Sequence, residues 1–497
     1  MNRIVNISSL ADASGVRFGT SGVRGRVTEM TDYVCHAYTA GFIQFLEQRC
    51  VSAVGDRRIA IGGDLRSSTD RIMGAVAQAA VDRGYEPVDC GKLPSPALFY
   101  YGTRAAIPSV MVTGSHIPED RNGIKFNKPS GEVLKTDEQA IVQQTVNMPD
   151  IFAEDGSLRR RAAMGKAASA AALDFGKRYV EAFPPRCLAG LRVGVYEHSA
   201  VARDMLKSVL RELGASVIEL GRANRFVAVD TEAIRAEDVE LAREWAKEHQ
   251  IDALLTTDGD SDRPLISDER GNWVRGDVAG ILCARFLGAQ VVVTSLNAST
   301  AAEKCGAFSE VRRTRIGSPY VIEEMSAAIA EGLSPVVGYE SNGGFLLGSE
   351  VSVGQGKLWP LMSRDSFIVI LSVLCLAARS GRSIRNLVDD LPQRYTASDR
   401  IKEFPTERGK AAIQELTAGN QGEQLLRVNS LFGGEFGAAC ELDKLDGVRV
   451  IFDSSIIVHL RASGNAPEFR CYAEARSDQE ARRAVEKGLE VARRLAG

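Results

Sequence analysis

The sequence predicts an α/β protein built as three related α/β domains with mixed sheets, followed by a smaller C-terminal α+β domain. Three observations carry this. A strand-helix-strand pattern of roughly 30 residues recurs three times at well-separated places. The last hundred or so residues change to successive strands closed by one amphipathic helix. The chain's 497 residues exceed what one core supports and suit roughly three or four domains.

Taken in order, RIAIGGDLRSS reads as a strand ending in a glycine turn, followed by a helical stretch through Ala80 and a second strand, YEPVDCG. Leu191 to Gly221 repeats the arrangement as strand, polar turn, amphipathic helix, glycine and strand, and Ala289 to Gly317 is the third version. Between the first two, residues 150–172 are rich in Ala, Gly and charge with weak apolar periodicity, which reads as a linker or surface excursion. The apolar run FIVILSVLCLAA from Phe367 is shorter than the ~20 residues a membrane-spanning helix needs and reads as a buried helix. GVRVIFD, SIIVHLRAS and FRCYAEARS then form strands, and Ser477 with Glu480 opens a final helix carrying Val485, Leu489, Ala492 and Leu495 on one face. The domain boundaries expected are 1–165, 166–277, 278–396 and 397–497.

Composition narrows the function. Net charge is −3, with 44% apolar and 25% charged residues. No electrostatic excess points to nucleic acid or an anionic membrane, and small-molecule partners are expected. The nine cysteines form no C-x-x-C pair, which fits a reducing cytoplasm better than a disulfide framework and makes zinc a poor expectation. The N-terminal MNRIVNISSLADASG lacks the basic start and apolar core of a secretory signal.

Chemistry concentrates in four loops, with a fifth arginine-bearing segment, VRFGTSGVRG (Val16 to Gly25), ahead of them. There glycines permit close approach to a ligand, and Arg17 and Arg24 offer guanidinium forks to phosphate, although a solvated loop would read the same. In MVTGSHIPEDRNGIKF (Met111 to Phe126), an apolar strand enters a tight turn presenting Ser115 and His116, with Lys125 further along. Turn chemistry alone also explains T-G-S. In TTDGDSDRP (Thr256 to Pro264), Asp258, Asp260 and Asp262 alternate with small residues and can converge on one hard divalent cation, with Arg263 beside them. A calcium EF-hand is excluded, because Arg263 occupies the position that needs glycine and a strand precedes the loop. VVGYESNGGF offers Glu340, Ser341 and Asn342 to sugar hydroxyls or forms a plain turn. HLRASGNAPEFR could cradle an anion with Arg461, Ser463, Gly464 and Asn465, or serve as a hairpin turn.

Together the loops TGSHIP, DGDSDR, GYES and RASGNAP resemble those of the α-D-phosphohexomutases, which carry an active-serine loop, a metal loop, a sugar loop and a phosphate loop, one per domain. The resemblance spans nearly the whole chain. It implies four domains facing a central cleft, and the reversible interconversion of a hexose 1-phosphate and its 6-phosphate through a hexose 1,6-bisphosphate, which also serves as activator. In that scheme Ser115 carries the phosphoryl group, Mg²⁺ is held by Asp258, Asp260, Asp262 and Ser115, and Arg24 and Arg263 hold phosphoryl oxygens. Lys125 matches the family's N-G-x-K position as candidate general acid/base, its pKa open to lowering by neighbouring cations, with His116 assisting. Glu340 and Ser341 would bind the sugar, and Arg461, Ser463, Gly464 and Asn465 the phosphate.

Two departures stand out. The sugar loop's carboxylate falls one residue late, at Glu340 after Tyr339, and the histidine some members carry after it is replaced by Asn342 and Gly343. The loop wording leans toward mannose phosphates, with glucose and glucosamine phosphates left open. A non-catalytic sugar-phosphate sensor is the remote alternative, and a serine hydrolase is poorer still because Ser115 sits in G-S-H and not in a G-x-S-x-G elbow. Oligomeric state is not legible.

Overall fold

In each of three sheets, one strand lies between two parallel neighbours. Arg58–Gly63 is flanked by Glu86–Lys92 and Ser109–Val112, Arg192–His198 by Ser216–Arg222 and Ala253–Thr257, and Val291–Ser295 by Glu310–Thr314 and Val336–Tyr339. The strand that completes each trio then folds back antiparallel, into Arg121–Lys128, Pro264–Ser267 and Phe345–Leu347 respectively. This shared order is the physical content of the threefold repeat read from the sequence. The computed structural model describes residues 3–19, 22–49, 56–160, 162, 164–165, 168–463 and 467–495.

The inner strands are continuous apolar runs because both faces are covered: every residue of Ala253–Thr257 and Val291–Ser295 is buried. Helices Thr69–Asp82 and Arg203–Glu212 make the first two crossovers as expected. The third is a correction, since its helix shrinks to the single turn Ala301–Lys304. Gly306, at φ 63°, turns the chain almost at once toward the next strand. The expected linker at 150–172 contains a bridge between Phe152 and Leu158, and the helix Ala170–Ala182 already begins within it.

The apolar run from Phe367 lies in the helix Ser366–Ser380, opened by Asp365, whose side chain accepts from the Phe367 and Ile368 N–H groups at 3.0 and 3.3 Å, and closed by Gly381 at φ 63°. It is buried in a core that also takes in Leu98, Phe175, Leu206, Ile281 and Val337, so the first three domains share apolar packing. Among the described residues no helix is long and apolar enough to cross a membrane. The described cysteines are free thiols, and the structure brings Cys187 and Cys375, 188 positions apart in the chain, to an Sγ–Sγ distance of 3.0 Å.

The C-terminal part is a five-stranded antiparallel sheet in the order Tyr395–Lys402, Glu468–Ala475, Ile457–Ala462, Val448–Phe452, Ala439–Asp443. Its final helix, Asp478–Leu495, starts as predicted with the Glu480 N–H donating to Ser477 Oγ at 3.2 Å, and it buries Val485, Leu489 and Ala492. This domain has its own core. It meets the third domain through polar contacts: the Thr300 N–H donates to Glu474 at 2.8 Å and the Ile316 N–H to Asp446 at 3.1 Å.

Candidate active site

The threefold repeat places three of the four loops equivalently, at the hairpin where the trio's last parallel strand reverses. Ser115 lies between Ser109–Val112 and Arg121–Lys128, the three aspartates between Ala253–Thr257 and Pro264–Ser267, and Glu340 between Val336–Tyr339 and Phe345–Leu347. These are the carboxyl ends of parallel strands, where α/β sheets open their ligand crevices. The fourth loop joins Ile457–Ala462 to Glu468–Ala475.

Ser115 is fully buried and left-handed, at φ 56°, a conformation a non-glycine residue holds at a cost of ~1–3 kcal/mol. Its surroundings dictate it. The Ser115 N–H donates to Thr113 Oγ1 at 2.8 Å, and Thr113 Oγ1 donates to Asp64 at 2.7 Å. Arg66 lies under the loop, donating to the Ser115, Ile117, Pro118 and Arg121 carbonyls at 2.5 to 3.0 Å and to Asp64 at 3.2 Å. Gly114 leaves room for that guanidinium, because a Cβ there would sit 2.7 Å from Arg66 Cζ. Nothing in the spacing marks Arg66, whose carbonyl partners lie 49 to 55 positions along the chain.

The serine loop meets the metal loop at van der Waals range. A Cβ on Gly259 would lie 2.7 Å from the Ser115 carbonyl oxygen and 2.8 Å from the Phe226 ring, so only glycine fits without displacement. The contact puts Ser115 Oγ 2.6 Å from Asp258 Oδ2, to which it donates. Carboxylate oxygens of Asp258, Asp260 and Asp262 all lie within 4.8 Å of one another, and all three residues are buried. Burial, then Asp260 and Asp262, push the Asp258 carboxyl well above the usual carboxylate range. Among the described residues Asp260 Oδ1 and Asp262 Oδ1 are buried without a hydrogen-bond partner. Close carboxylates with orphaned oxygens and a serine hydroxyl alongside are a donor set that fits a hard divalent cation.

Lys125 enters from the neighbouring strand, donating to Asp260 at 2.6 Å and Asp262 at 2.7 Å. Burial opposes its charge, but these carboxylates outweigh burial and hold the amine above its ordinary value. The lowering expected from neighbouring cations is therefore corrected: the groups in direct contact are anions. His116 behaves oppositely. Burial, then Arg263 and to a lesser degree Arg24, pull its pKa down to about 3. Its Nδ1 accepts from Arg263 at 3.0 Å and lies 3.3 Å from Ser115 Oγ, which assigns the remaining ring proton to Nε2. Arg24 is pulled down to about 10 by burial and by Arg263 and Arg364.

In the third loop Glu340 is engaged. Arg364, 3% exposed, donates from Nε to Glu340 at 2.7 Å, from one terminal nitrogen to Asp262 at 3.2 Å, and from the other to Ser318 at 2.9 Å. Nothing in the sequence pattern marked Arg364, which lies just ahead of the buried helix's cap. Ser341 donates to Glu232, a second-domain residue the sequence reading also passed over. In the fourth domain, Arg461 donates to Asp446 at 2.9 Å and Ser463 is buried. Gly464 and Asn465 lie outside the described residues.

One cleft of about 570 Å³ is walled by Arg24 and His116 from the first domain, Arg263 from the second, Glu340, Ser341 and Arg364 from the third, and Arg400, Arg461, Ser463 and Arg470 from the fourth, and the buried Ser115 adjoins it through His116. Arginines from every domain around a buried serine set against an acidic cation site define an enzyme that moves phosphoryl groups on a small molecule.

Residues 15–150, 177–271 and 275–395 match Phosphoglucomutase/phosphomannomutase, alpha/beta/alpha domains I, II and III, and residues 401–490 match the C-terminal domain of the same family. The chain belongs to that family, the α-D-phosphohexomutases. It is 41% identical over 479 residues to a phosphomannomutase of Sinorhizobium fredii, covering 96% of this chain and 98% of that one. It is 39% identical over 489 residues to a phosphomannomutase of Salmonella muenchen, covering 98% of each. The fold matches the crystal structure of a protein from Thermus thermophilus described as a putative phosphomannomutase, with TM-score 0.74 and 20% identity over 96% of this chain and 99% of that one.

Proposed function

We propose that the enzyme is a phosphomannomutase, interconverting mannose 1-phosphate and mannose 6-phosphate through mannose 1,6-bisphosphate, with a hexose 1,6-bisphosphate as activator and the cytoplasm as its compartment. The observation that carries the reading is Ser115 Oγ held 2.6 Å from Asp258 and 3.3 Å from His116 Nδ1, directly behind a cleft that His116 and Arg263 line together with fourth-domain arginines. The two long relatives of about 40% identity, both phosphomannomutases, support the choice of sugar.

In the resting enzyme Ser115 carries a phosphoryl group. A substrate hydroxyl attacks phosphorus, the Oγ–P bond breaks as the new O–P bond forms, and the product is the 1,6-bisphosphate. After the bisphosphate turns over in the cleft, Ser115 Oγ takes the other phosphoryl group and frees the isomeric monophosphate. Arg24 and Arg263 hold the oxygens of the group in flight. A Mg²⁺ ion held by Asp258, Asp260, Asp262 and a phosphoserine oxygen supplies positive charge for the transferring group when bound. His116, neutral at pH 7 with Nδ1 accepting from Arg263, assists by position, holding Arg263 beside Ser115 Oγ, and Lys125, charged, is the candidate general acid/base that gives a proton to the departing oxygen. Arg461, Ser463, Gly464 and Asn465 grip the phosphate that is not reacting.

Turnover of mannose, glucose and glucosamine 1-phosphates with catalytic bisphosphate tests the assignment. Mannose 1-phosphate is the preferred substrate, and Ser115→Ala abolishes its conversion. Full activity of that variant, or preference for another sugar, sinks the corresponding half of the reading.

A further inference from the structure

A sugar lying in the cleft needs acceptors for its ring hydroxyls, and the carboxylate of the third loop offers little surface, with one of its oxygens already bonded. Glu340 is 3% exposed and bonded to Arg364, which also holds Asp262 and Ser318. A buried, forked ion pair of this kind gives up its partner only at the cost of an unpaired charge.

Glu232 stands in a different situation. It belongs to the irregular stretch 223–235 that joins the strand Ser216–Arg222 to the helix Ala236–His249. Thr231 beside it donates to the Asn342 carbonyl at 2.7 Å, fastening this second-domain stretch to the third loop. Glu232 Oε1 accepts from Ser341 Oγ at 2.8 Å and from Asn297 Nδ2 at 3.3 Å, and Asn297 Nδ2 also reaches Ser341 Oγ at 2.7 Å. Among the described residues Oε2 accepts no hydrogen bond, and the Glu232 side chain is exposed and lines the cleft together with Ser341 and Asn297. A carboxylate with one oxygen fixed by two donors and the other open to the cavity is a preorganised acceptor. An amide and a hydroxyl beside it complete the donor and acceptor set that neighbouring ring hydroxyls require.

We infer that Glu232, supplied by the second domain and held by Ser341 and Asn297, is the carboxylate that accepts hydrogen bonds from the ring hydroxyls of the hexose phosphate and sets which sugar is turned over. The inference rests on the phosphohexomutase reading. It also gives the shifted sugar loop a physical sense: the loop's own carboxylate serves Arg364, and its serine orients a carboxylate from elsewhere. Glu232 is thus a substrate-specificity residue drawn from outside the four motif loops.

The test compares wild type, Glu232→Ala and Glu232→Gln with mannose 1-phosphate and its 2-, 3- and 4-deoxy analogues. Losing a hydrogen bond to a charged acceptor lowers kcat/KM for the parent sugar about 10- to 100-fold. The wild type rejects the deoxy analogue that lacks the contacted hydroxyl by a similar factor, and Glu232→Ala no longer distinguishes it from the parent, because the two deletions remove the same bond. Glu232→Gln keeps the shape and gives an intermediate loss, with an unfolding midpoint like that of the wild type. Glu232→Ala within twofold of wild type on mannose 1-phosphate overturns the inference, and so does a pattern of deoxy penalties unchanged by the substitution. A wild-type enzyme that turns over no hexose phosphate overturns the phosphohexomutase reading itself.

Discussion

Replacing Arg66 tests whether the serine loop is held from beneath. The side chain is fully buried, stacks 3.8 Å from the centroid of the Phe226 ring, and serves four loop carbonyls and Asp64. In Arg66→Met, Asp64 keeps the Thr69 and Thr113 hydroxyls, each at 2.7 Å, but loses its cation. Removing one partner of a buried pair costs ~3–5 kcal/mol. The Pro118 carbonyl keeps the Arg121 N–H at 3.1 Å, and the other three, left orphaned, would each add about 1 kcal/mol if the loop stayed shut. Opening the loop to water is the cheaper route, so the destabilisation stays near ~3–5 kcal/mol and Ser115 Oγ moves off Asp258. A displacement of about 1 Å at the reacting atom lowers turnover on the order of 100-fold. Arg66→Lys keeps the charge opposite Asp64 but lacks the planar fork for four carbonyls, and it falls between the two in both respects. Urea unfolding and mutase turnover measured on the same preparations decide the matter. Arg66→Met with stability within about 1 kcal/mol of wild type and undiminished turnover would refute the reasoning.

Gly259→Ala places a methyl 2.7 Å from the Ser115 carbonyl and should cost ~1–3 kcal/mol of stability together with most of the activity; an active, stable variant would mean the two loops approach less closely. Chelation should silence the enzyme and Mg²⁺ restore it, whereas Asp260→Asn should weaken the response to Mg²⁺; metal-independent turnover contradicts the three-aspartate site. His198 donates from Nε2 to the Thr257 carbonyl at 2.9 Å, and its buried Nδ1 has no hydrogen-bond partner among the described residues. Burial pulls its pKa from 6.5 down to about 4. Because the folded value lies below the unfolded one, the stability it contributes is complete above pH 6.5 and fades as pH falls toward 4. The loss amounts to roughly 3 kcal/mol by linkage. Urea midpoints against pH should show it, and His198→Gln should flatten that part of the profile.

What the sequence revealed follows from how local each signal is. Strand runs such as ALLTT and VVVTS announce themselves because parallel strands are apolar on both faces. The metal loop is legible because its three ligands sit within five residues. The short third crossover was hidden because STAAEKCG has ordinary helix formers, and only the turn at Gly306 limits it. Arg66, Arg364 and Glu232 act on partners up to 109 positions away, and spacing carries no information about such pairs. The Lys125 expectation failed for the same reason: its neighbours in sequence say nothing of Asp260 and Asp262, 135 and 137 residues on.

The central claim is that Ser115 is a phosphoryl carrier. Its most direct measurement is peptide mass mapping of the protein after incubation with mannose 1,6-bisphosphate and Mg²⁺, before and after a chase of mannose 1-phosphate. One phosphoryl group on Ser115 that passes to the sugar during the chase, with mannose 6-phosphate appearing, is the predicted result. Turnover with Ser115 never phosphorylated, or with the phosphoryl group on another residue, would contradict the account.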